Sequence, residues 1–364
     1  MRDTALARSD AVEQGTRELS GSRSMVRRAV LGVVLIAIVA VLAGAISNYA
    51  IGSRLRALHP APGMFLEVNG VPMHLYCTGQ GSPTVVLESG LGEGWLYWQK
   101  VQPEVAKTTR VCSYDRAGIG WSDPQPGPRD AKAIASQLHA LLSKAGVKPP
   151  VVLVGASAGG FYVREFTAMY PAQVTAIVFA DASLPEQIEA LPYGKDTEAA
   201  RKKRHRDARW DWMKQASGWE RVTGQCKGDI EEGLEAYRAI ADAQACRPAF
   251  ATSWLGEWDE FWHSGEEVAY EACCGERPLV IISQDPDRPK PGWTAQAIAA
   301  QPIWNRLQEN LKRLSPHSRR IVARGSRHHV MIDRPDVVIH GIREVVRDVR
   351  GEPSGAQNGT TVVE

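Results

Sequence analysis

A serine between two glycines stands where covalent catalysis would need it. The residues GASAG, from Gly155 to Gly159, match the pattern G-x-S-x-G. The apolar run VVLV precedes them and the helix-like stretch FYVREFTAMYP follows, so a buried strand should turn sharply into a helix at Ser157. The flanking glycines remove Cβ atoms that would clash in such a strained turn. This turn exposes Ser157 Oγ as a nucleophile and aims the N–H of Ala158 at the reaction centre.

A serine nucleophile needs a base, because its hydroxyl keeps its proton at neutral pH. Histidine is the side chain that most often fills this role. His328 and His329 stand side by side in SRHHVMIDRP, between the apolar run RIVA and a helix-like segment that starts at Pro335. Both histidines are candidates for the general base.

The segments that would position these residues alternate between strands and helices. Short β-branched runs occur at residues 84–88, 111–114, 151–154, 174–180, 279–282 and 320–323, and helical spacing at 131–145 and 335–349. This rhythm favours a mostly parallel sheet with helices on both faces. Before it, two alternating runs flank Asn69-Gly70, which predicts a hairpin.

Five segments in order resemble the landmarks of α/β-hydrolases. They are VVLESGLGEG, DRAGIGWSD, VVLVGASAGG, VTAIVFADAS and GSRHHVMIDRPDVV. The resemblance runs over residues 64–350 and is to an esterase-like group with DRAGxGxSD and an N-terminal membrane segment. Prolyl aminopeptidases and ring-cleavage-product hydrolases share parts of the pattern. The resemblance implies an α/β-hydrolase fold with a helical cap insertion.

The family pattern also implies site residues, in the chain order serine, acid, histidine. Ser157 matches the nucleophile. The pattern S-G-H-x-x-x-x-D-x-P aligns His328 with the base, although Arg327 occupies the usual glycine position, and His329 stays the alternative. The residues Asp115 and Arg116 of DRAGIGWSD are expected to pair and brace their loop.

The acid is expected after the strand in PLVIISQDPDRP. The pattern P-V-L-V-I-x-G-x-x-D aligns Asp287 with it, but Gln284 replaces the usual glycine, so Asp285 stays an alternative. Asp181, after the previous strand, is a third option, because some members of the fold use that position. A capping aspartate at the start of the insertion is the simpler interpretation of Asp181.

An oxyanion intermediate needs two N–H donors. One is expected to be Ala158. The other should come from the loop after residues 84–88, where Gly90-Leu91 resembles the family's HG-x segment with Ser89 replacing histidine. The candidate is therefore the N–H of Leu91.

Residues 183–276 interrupt the alternation and are predicted to form the cap. The segment holds six of the chain's 11 tryptophans, at positions 210, 212, 219, 254, 258 and 262, which favours an apolar substrate. It also holds the basic run RKKRHR at 201–206. That run is either a solvated helix face or a contact for anionic lipid headgroups.

The N-terminal segment predicts a membrane anchor. Residues 29–46 contain no charge and no proline, and extension to residue 51 gives the length of a transmembrane helix. Six arginines precede this run and two follow closely, so the N-terminus is expected in the cytoplasm and the catalytic domain outside. The alternative is cleavage after Ala45, which would release a secreted protein.

These boundaries divide the chain. The predicted parts are a cytoplasmic tail (1–28), a signal-anchor helix (29–51), a linker (52–63), a hydrolase core (64–182 and 277–350) around the cap (183–276), and a disordered tail (351–364).

The six cysteines permit disulfides outside the cytoplasm, with their pairing open. A net charge of +2 argues against nucleic acid, and no motif calls for a metal or an organic cofactor. The oligomeric state stays open.

The pattern favours hydrolysis of a small carboxylic ester, and Ser157 argues against reactions that start from an aspartate nucleophile. Dehalogenases and epoxide hydrolases of this fold use an aspartate where Ser157 stands. Amide or peptide cleavage and acyl transfer to another acceptor use the same triad and remain alternatives. An alternative of another class is a ligand-binding protein that kept the fold and lost turnover.

Overall fold

A computed structural model describes the backbone of residues 2–192, 196–269, 273–288, 294–352 and 360–363, with side chains from residue 25 onward. Within these ranges, nine strands form one sheet. The strands are β1 (Met64–Val68), β2 (Val71–Thr78), β3 (Val85–Glu88), β4 (Val111–Tyr114), β5 (Val151–Ala156), β6 (Val174–Ala180), β7 (Leu279–Ser283), β8 (Ser318–Ala323) and β9 (Thr360–Val363). Their order is β1-β2-β4-β3-β5-β6-β7-β8-β9.

The α-helices follow the alternation predicted from the sequence. They are α1 (Arg2–Leu58), α2 (Gln102–Val105), α3 (Ala131–Lys144), α4 (Gly159–Met169), α5 (Gln187–Ala190), α6 (Glu198–Ala216), α7 (Trp219–Val222), α8 (Arg238–Gln244), α9 (Pro248–Asp259), α10 (Phe261–Ala269), α11 (Ala295–Asn310), α12 (Val330–Asp333) and α13 (Pro335–Arg350).

The sheet is parallel from β3 and β4 through β9, and β2 pairs antiparallel with both β1 and β4. The predicted mostly parallel sheet is therefore confirmed. The predicted hairpin is also confirmed, since Val68 pairs with Val71 across Asn69 and Gly70. Both turn residues have positive φ, 53° and 80°, as a tight two-residue hairpin turn requires.

Alternate residues along the strands fill two separate cores. On one face, Val86, Leu153 and Ile177 pack in a cluster with residues of α3 and α4. On the other face, Val85 and Val152 belong to a cluster with residues of α13. Both faces of the sheet are thus covered, which explains the nearly continuous apolar runs of its strands.

The segment between β6 and β7 contains α5 to α10, and we keep the name cap for it. Its tryptophans separate into two groups. Trp254, Trp258 and Trp262 form one aromatic cluster with Phe261, over which Arg204 lies. The other three, Trp210, Trp212 and Trp219, are exposed.

Two predicted boundaries are wrong in part. The linker expected over 52–63 is helical as far as Leu58, because α1 continues through it. The tail expected to be disordered over 351–364 contains β9, which pairs with β8 over Thr360–Val363. Residues 353–359 and 364 lie outside the described residues.

The α1 segment from Met25 to Leu58 is long and apolar enough to cross a membrane, with a mean hydropathy of 3.0 in its most apolar window. This agrees with the expected anchor by length and composition alone.

The six cysteines pair as Cys77–Cys112, Cys226–Cys246 and Cys273–Cys274. The first pair joins residues that lie opposite each other on β2 and β4.

Candidate active site

Ser157 occupies a strained turn between β5 and α4. Its φ is +49°, in the left-handed region that side chains seldom adopt. A Cβ at Gly155 would lie 2.6 Å from the carbonyl oxygen of Gly159, and a Cβ at Gly159 would lie 2.8 Å from that of Glu88. The two glycines of the motif therefore let the turn close against its own helix and against β3.

His328 contacts the serine from the loop after β8. Its Nε2 lies 2.9 Å from Ser157 Oγ, and its Nδ1 lies 2.6 Å from Asp181 Oδ2. Because the carboxylate accepts at Nδ1, the neutral ring carries its proton there and leaves Nε2 free to accept from the serine hydroxyl. The three side chains form one continuous hydrogen-bonded chain that can draw the proton from Oγ.

Asp181 is held rigidly beneath the imidazole. It directly follows β6, is fully buried and has a φ of +46°. Its second carboxylate oxygen accepts the N–H of Gln284 at 3.1 Å and the indole N–H of Trp304 at 2.9 Å. These uncharged donors orient the carboxylate without neutralising it.

The structure does not bring either predicted acid to His328. Asp285 accepts hydrogen bonds from the guanidinium of Arg324 at 2.9 Å and from the N–H of Gly325 at 2.8 Å. Asp287 also accepts a hydrogen bond from Arg324. The assignment of Asp287, with Asp285 as alternative, is thus corrected geometrically in favour of Asp181. The physical reason is that the loop after β7 turns toward Arg324, whereas the end of β6 lies under His328.

The pKa of Asp285 reflects this different setting. Burial raises the pKa of the carboxyl, but the N–H groups of Gly325 and Asp287 and the guanidinium of Arg324 outweigh burial and lower it. Asp285 therefore belongs to an ion pair that fixes the ends of β7 and β8.

His329 has partners of its own. Its Nε2 lies 2.9 Å from Glu93 and its Nδ1 lies 3.1 Å from Glu231. Burial lowers the pKa of His329, but the two carboxylates outweigh burial and raise the pKa to about 10. His329 is therefore a cation at neutral pH that links the loop after β3 to the cap, and it is not placed to act as a base on Ser157.

The two predicted oxyanion donors belong to the same apolar region. Ala158 is buried at the start of α4, and Leu91 packs against the small apolar cluster that contains Ala158. The N–H groups on either side of Leu91 are used, since Gly90 donates to Glu93 at 3.0 Å and Gly92 donates to Glu257 at 2.7 Å. The role of Ala158 and Leu91 as oxyanion donors stays a prediction.

A buried arginine holds the loop that carries Leu91. Arg116 donates to Glu88 at 2.6 Å and, through two nitrogens at 2.8 Å, to Glu257 of α9. It also donates to the carbonyl oxygens of Ser89 at 3.0 Å and Gly90 at 2.6 Å. Both carboxylates are fully buried. The loop after β3 is thus clamped between the sheet and the cap.

The expected pairing of Asp115 with Arg116 is wrong. Asp115 instead contacts His74 at 2.8 Å and accepts the backbone N–H groups of Trp95 and Trp121. Neighbouring residues of the DRAG motif therefore brace two different parts of the structure. Sequence reasoning missed Glu88 and Glu257, although a glutamate that ends an apolar strand run was a usable signal for Glu88.

A cavity of about 320 Å³ lies between the same loop and the cap. Leu91, Glu93, Phe250 and Trp254 are among its lining residues. The side chains that surround it are both apolar and charged. Its volume is at the lower end of the range for small-ligand pockets. It borders the site through Leu91, and neither Ser157 nor His328 is among its lining residues.

Comparison with known proteins agrees with this architecture. A profile of the family described as alpha/beta hydrolase fold matches residues 83–227. An uncharacterized protein of Bacillus subtilis (strain 168) is 32% identical over 133 residues, which are 36% of this chain and 41% of that protein. The chain spans less than half the length of the first curated relatives it matches.

Solved structures match over most of the chain. A thermophilic esterase from Thermogutta terrifontis is 20% identical, with a TM-score of 0.56, covering 79% of this chain and 99% of that one. A putative epoxide hydrolase from Pseudomonas aeruginosa is 17% identical, with a TM-score of 0.54, covering 79% and 96%. The chain therefore has the α/β-hydrolase fold. Since that fold carries different reactions, the side chains at the site must decide the chemistry.

Proposed function

We propose that this protein is a serine hydrolase that cleaves carboxylic esters through an acyl-enzyme on Ser157. The observation that carries the proposal is the hydrogen-bonded chain from Ser157 through His328 to Asp181. A nucleophile, a base and an orienting acid are the groups that acyl transfer needs. A serine at this position, where epoxide hydrolases use an aspartate, supports attack on an acyl carbon.

In the proposed mechanism, Ser157 Oγ attacks the ester carbonyl while its proton passes to His328 Nε2. Asp181 stabilises the resulting imidazolium through Nδ1–H. The N–H groups of Ala158 and Leu91 stabilise the oxyanion, an effect that lowers the barrier by several kcal/mol. His328 then protonates the leaving alcohol, and water releases the acyl group by the reverse sequence.

We further propose that α1 anchors the protein in a membrane as a single-pass helix. The uncharged run at residues 29–46 supports this, and the six arginines before it favour a cytoplasmic N-terminus with the catalytic domain outside. The substrate is then a small apolar ester on the outer side of the membrane.

The first test is hydrolysis of p-nitrophenyl esters of increasing chain length by the full chain in detergent micelles. Ser157→Ala and His328→Ala should each lower kcat by about 10⁴-fold or more. Ser136→Ala, on the exposed face of α3, and the exposed His317→Ala are matched controls that should keep wild-type rates.

A fluorophosphonate probe gives a second readout. It should label Ser157 in the wild type and in both controls, and it should not label Ser157→Ala. A folded wild type that neither labels nor hydrolyses any ester would contradict the proposal and favour a ligand-binding protein.

A further inference from the structure

The C-terminal half of α1 is fixed to the cap by specific contacts. Asn48 is buried and donates to the carbonyl oxygens of Gln215 at 2.8 Å and Cys246 at 3.1 Å. It also accepts Arg221 Nε at 2.7 Å. One turn earlier, the backbone of Gly44 packs directly against Ser217 and Gly218. The end of α6 and the start of α7 therefore cannot move independently of this helix.

The contact reaches into the apolar run. Gly44 lies inside the uncharged stretch 29–46. Val41, one turn further in, lines a groove of about 650 Å³ together with residues of α6 and α7. At a rise of about 1.5 Å per residue, Val41 is roughly 8 Å from the end of the run. If the run spans a bilayer, this part of the cap lies within about 8 Å of the outer edge of the hydrocarbon core.

The cap is aromatic and exposed at this level. Trp210, Trp212, Met213 and Trp219 line the groove beside Val41, and we call these four residues the aromatic face. The three tryptophans are 59%, 43% and 57% exposed. Tryptophan is enriched at membrane–water interfaces, where its ring is apolar and its N–H finds polar partners.

The charge of the neighbouring helix also favours contact with lipid headgroups. Helix α6, which carries three residues of the aromatic face, has seven Lys or Arg against three Asp or Glu. A basic helix with tryptophans beside an apolar span complements anionic phospholipid headgroups. A partner protein would have to share this surface with the lipid around α1.

We infer that the aromatic face sits in the headgroup region of the outer leaflet, as a second membrane contact besides the span itself. The inference rests on the proposed anchoring by α1. It assigns the exposed tryptophans of the cap to lipid, and the half-buried cluster of Trp254, Trp258 and Trp262 to the interior of the cap.

Quenching by brominated lipids tests this. The full chain is reconstituted into vesicles of phosphatidylcholine with a minority of phosphatidylglycerol, with bromine near the headgroup or near the chain end. The variant Trp210→Ser/Trp212→Ser/Trp219→Ser is compared with Trp254→Phe/Trp258→Phe/Trp262→Phe, which removes the same number of tryptophans from inside the cap.

Headgroup-proximal bromine should quench wild-type fluorescence more than deep bromine does. The first variant should lose at least about two thirds of this quenching, because its interfacial tryptophans are gone. The second variant should keep the same absolute loss of emission as the wild type.

Flotation of the vesicles after an alkaline wash separates the two proposals. Protein that floats with the vesicles and is not quenched would overturn the aromatic face and leave the anchor standing. Equal quenching in the wild type and the first variant would overturn it as well. Protein that does not float would refute the anchor and, with it, this inference.

Discussion

Two neighbouring strands end at the same edge of the sheet, and each is followed by aspartates with a different role. Ala180 of β6 pairs with Ile282 of β7, so the loops after them start side by side. The first loop begins with Asp181, which contacts His328. The second contains Asp285 and Asp287, which contact Arg324.

The difference shows that partners, more than position in the chain, set the role of a carboxylate. Asp181 is fully buried, and in the part of the chain that the structure describes its hydrogen-bond donors besides His328 are uncharged, so its carboxylate can stabilise an imidazolium. The charge of Asp285 is already balanced by a guanidinium. Both loops satisfy the chain order serine, acid, histidine, yet only one is built to support a base.

The largest expected effect separates the two loops directly. Asp181→Asn should lower kcat for ester hydrolysis by about 10⁴-fold, because the amide no longer favours the required tautomer of His328. Asp287→Asn should stay within about twofold of the wild type, since that side chain is exposed and paired with Arg324. The reverse pattern would restore the acid assigned from the sequence.

A smaller effect is expected at the third loop of this edge, which follows β3. Glu257→Gln removes the negative charge opposite Arg116 and leaves one acceptor oxygen where Arg116 and Gly92 N–H use two, so Leu91 should be held less firmly. We expect kcat to fall about 10- to 100-fold with little change in KM, because a misplaced oxyanion donor affects the transition state.

Glu344→Gln is the matched control for this variant. Its carboxylate also belongs to a buried ion pair, with Arg319 at 3.0 Å, but that pair joins α13 to β8. Both variants should lose stability, and kcat should fall only in Glu257→Gln. Equal losses of kcat in the two would mean that the clamp acts through stability alone.

Asp285→Asn, like Asp287→Asn, should keep kcat within about twofold, but it should lower the free energy of unfolding at pH 7 by about 1–2 kcal/mol. The pKa of Asp285 is lowered in the folded state. Its contribution is therefore present above the unfolded pKa and is lost as the pH falls through the folded one.

Unfolding of wild type and Asp285→Asn in detergent, measured from pH 7 down to pH 3, checks this sign. The difference between them should shrink in the acidic part of the range. A difference that grows toward low pH would mean that Asp285 is not a stabilising carboxylate.

Features that depend on short stretches of chain were predictable. Strand, turn and helix around Ser157 lie within residues 151–169, so the residue pattern alone describes the elbow. The same holds for the hairpin at Asn69-Gly70. His328 needed the family pattern to separate it from His329, because two adjacent histidines look alike until their neighbours are known.

What tertiary structure decided was which distant groups meet. Asp181 and His328 are 147 positions apart, and Arg116 and Glu257 are 141 apart. Likewise, which tryptophans of the cap face inward depends on how α6 and α9 pack and on where α1 leaves the cap. The sequence by itself predicted Ser157 as the nucleophile and determined its turn and the alternation of strands and helices, because these follow from local backbone geometry and hydrophobic periodicity. The acid, the clamp on the loop after β3 and the aromatic face were decided only by folding, because a carboxylate or an indole takes its role from what folding brings against it.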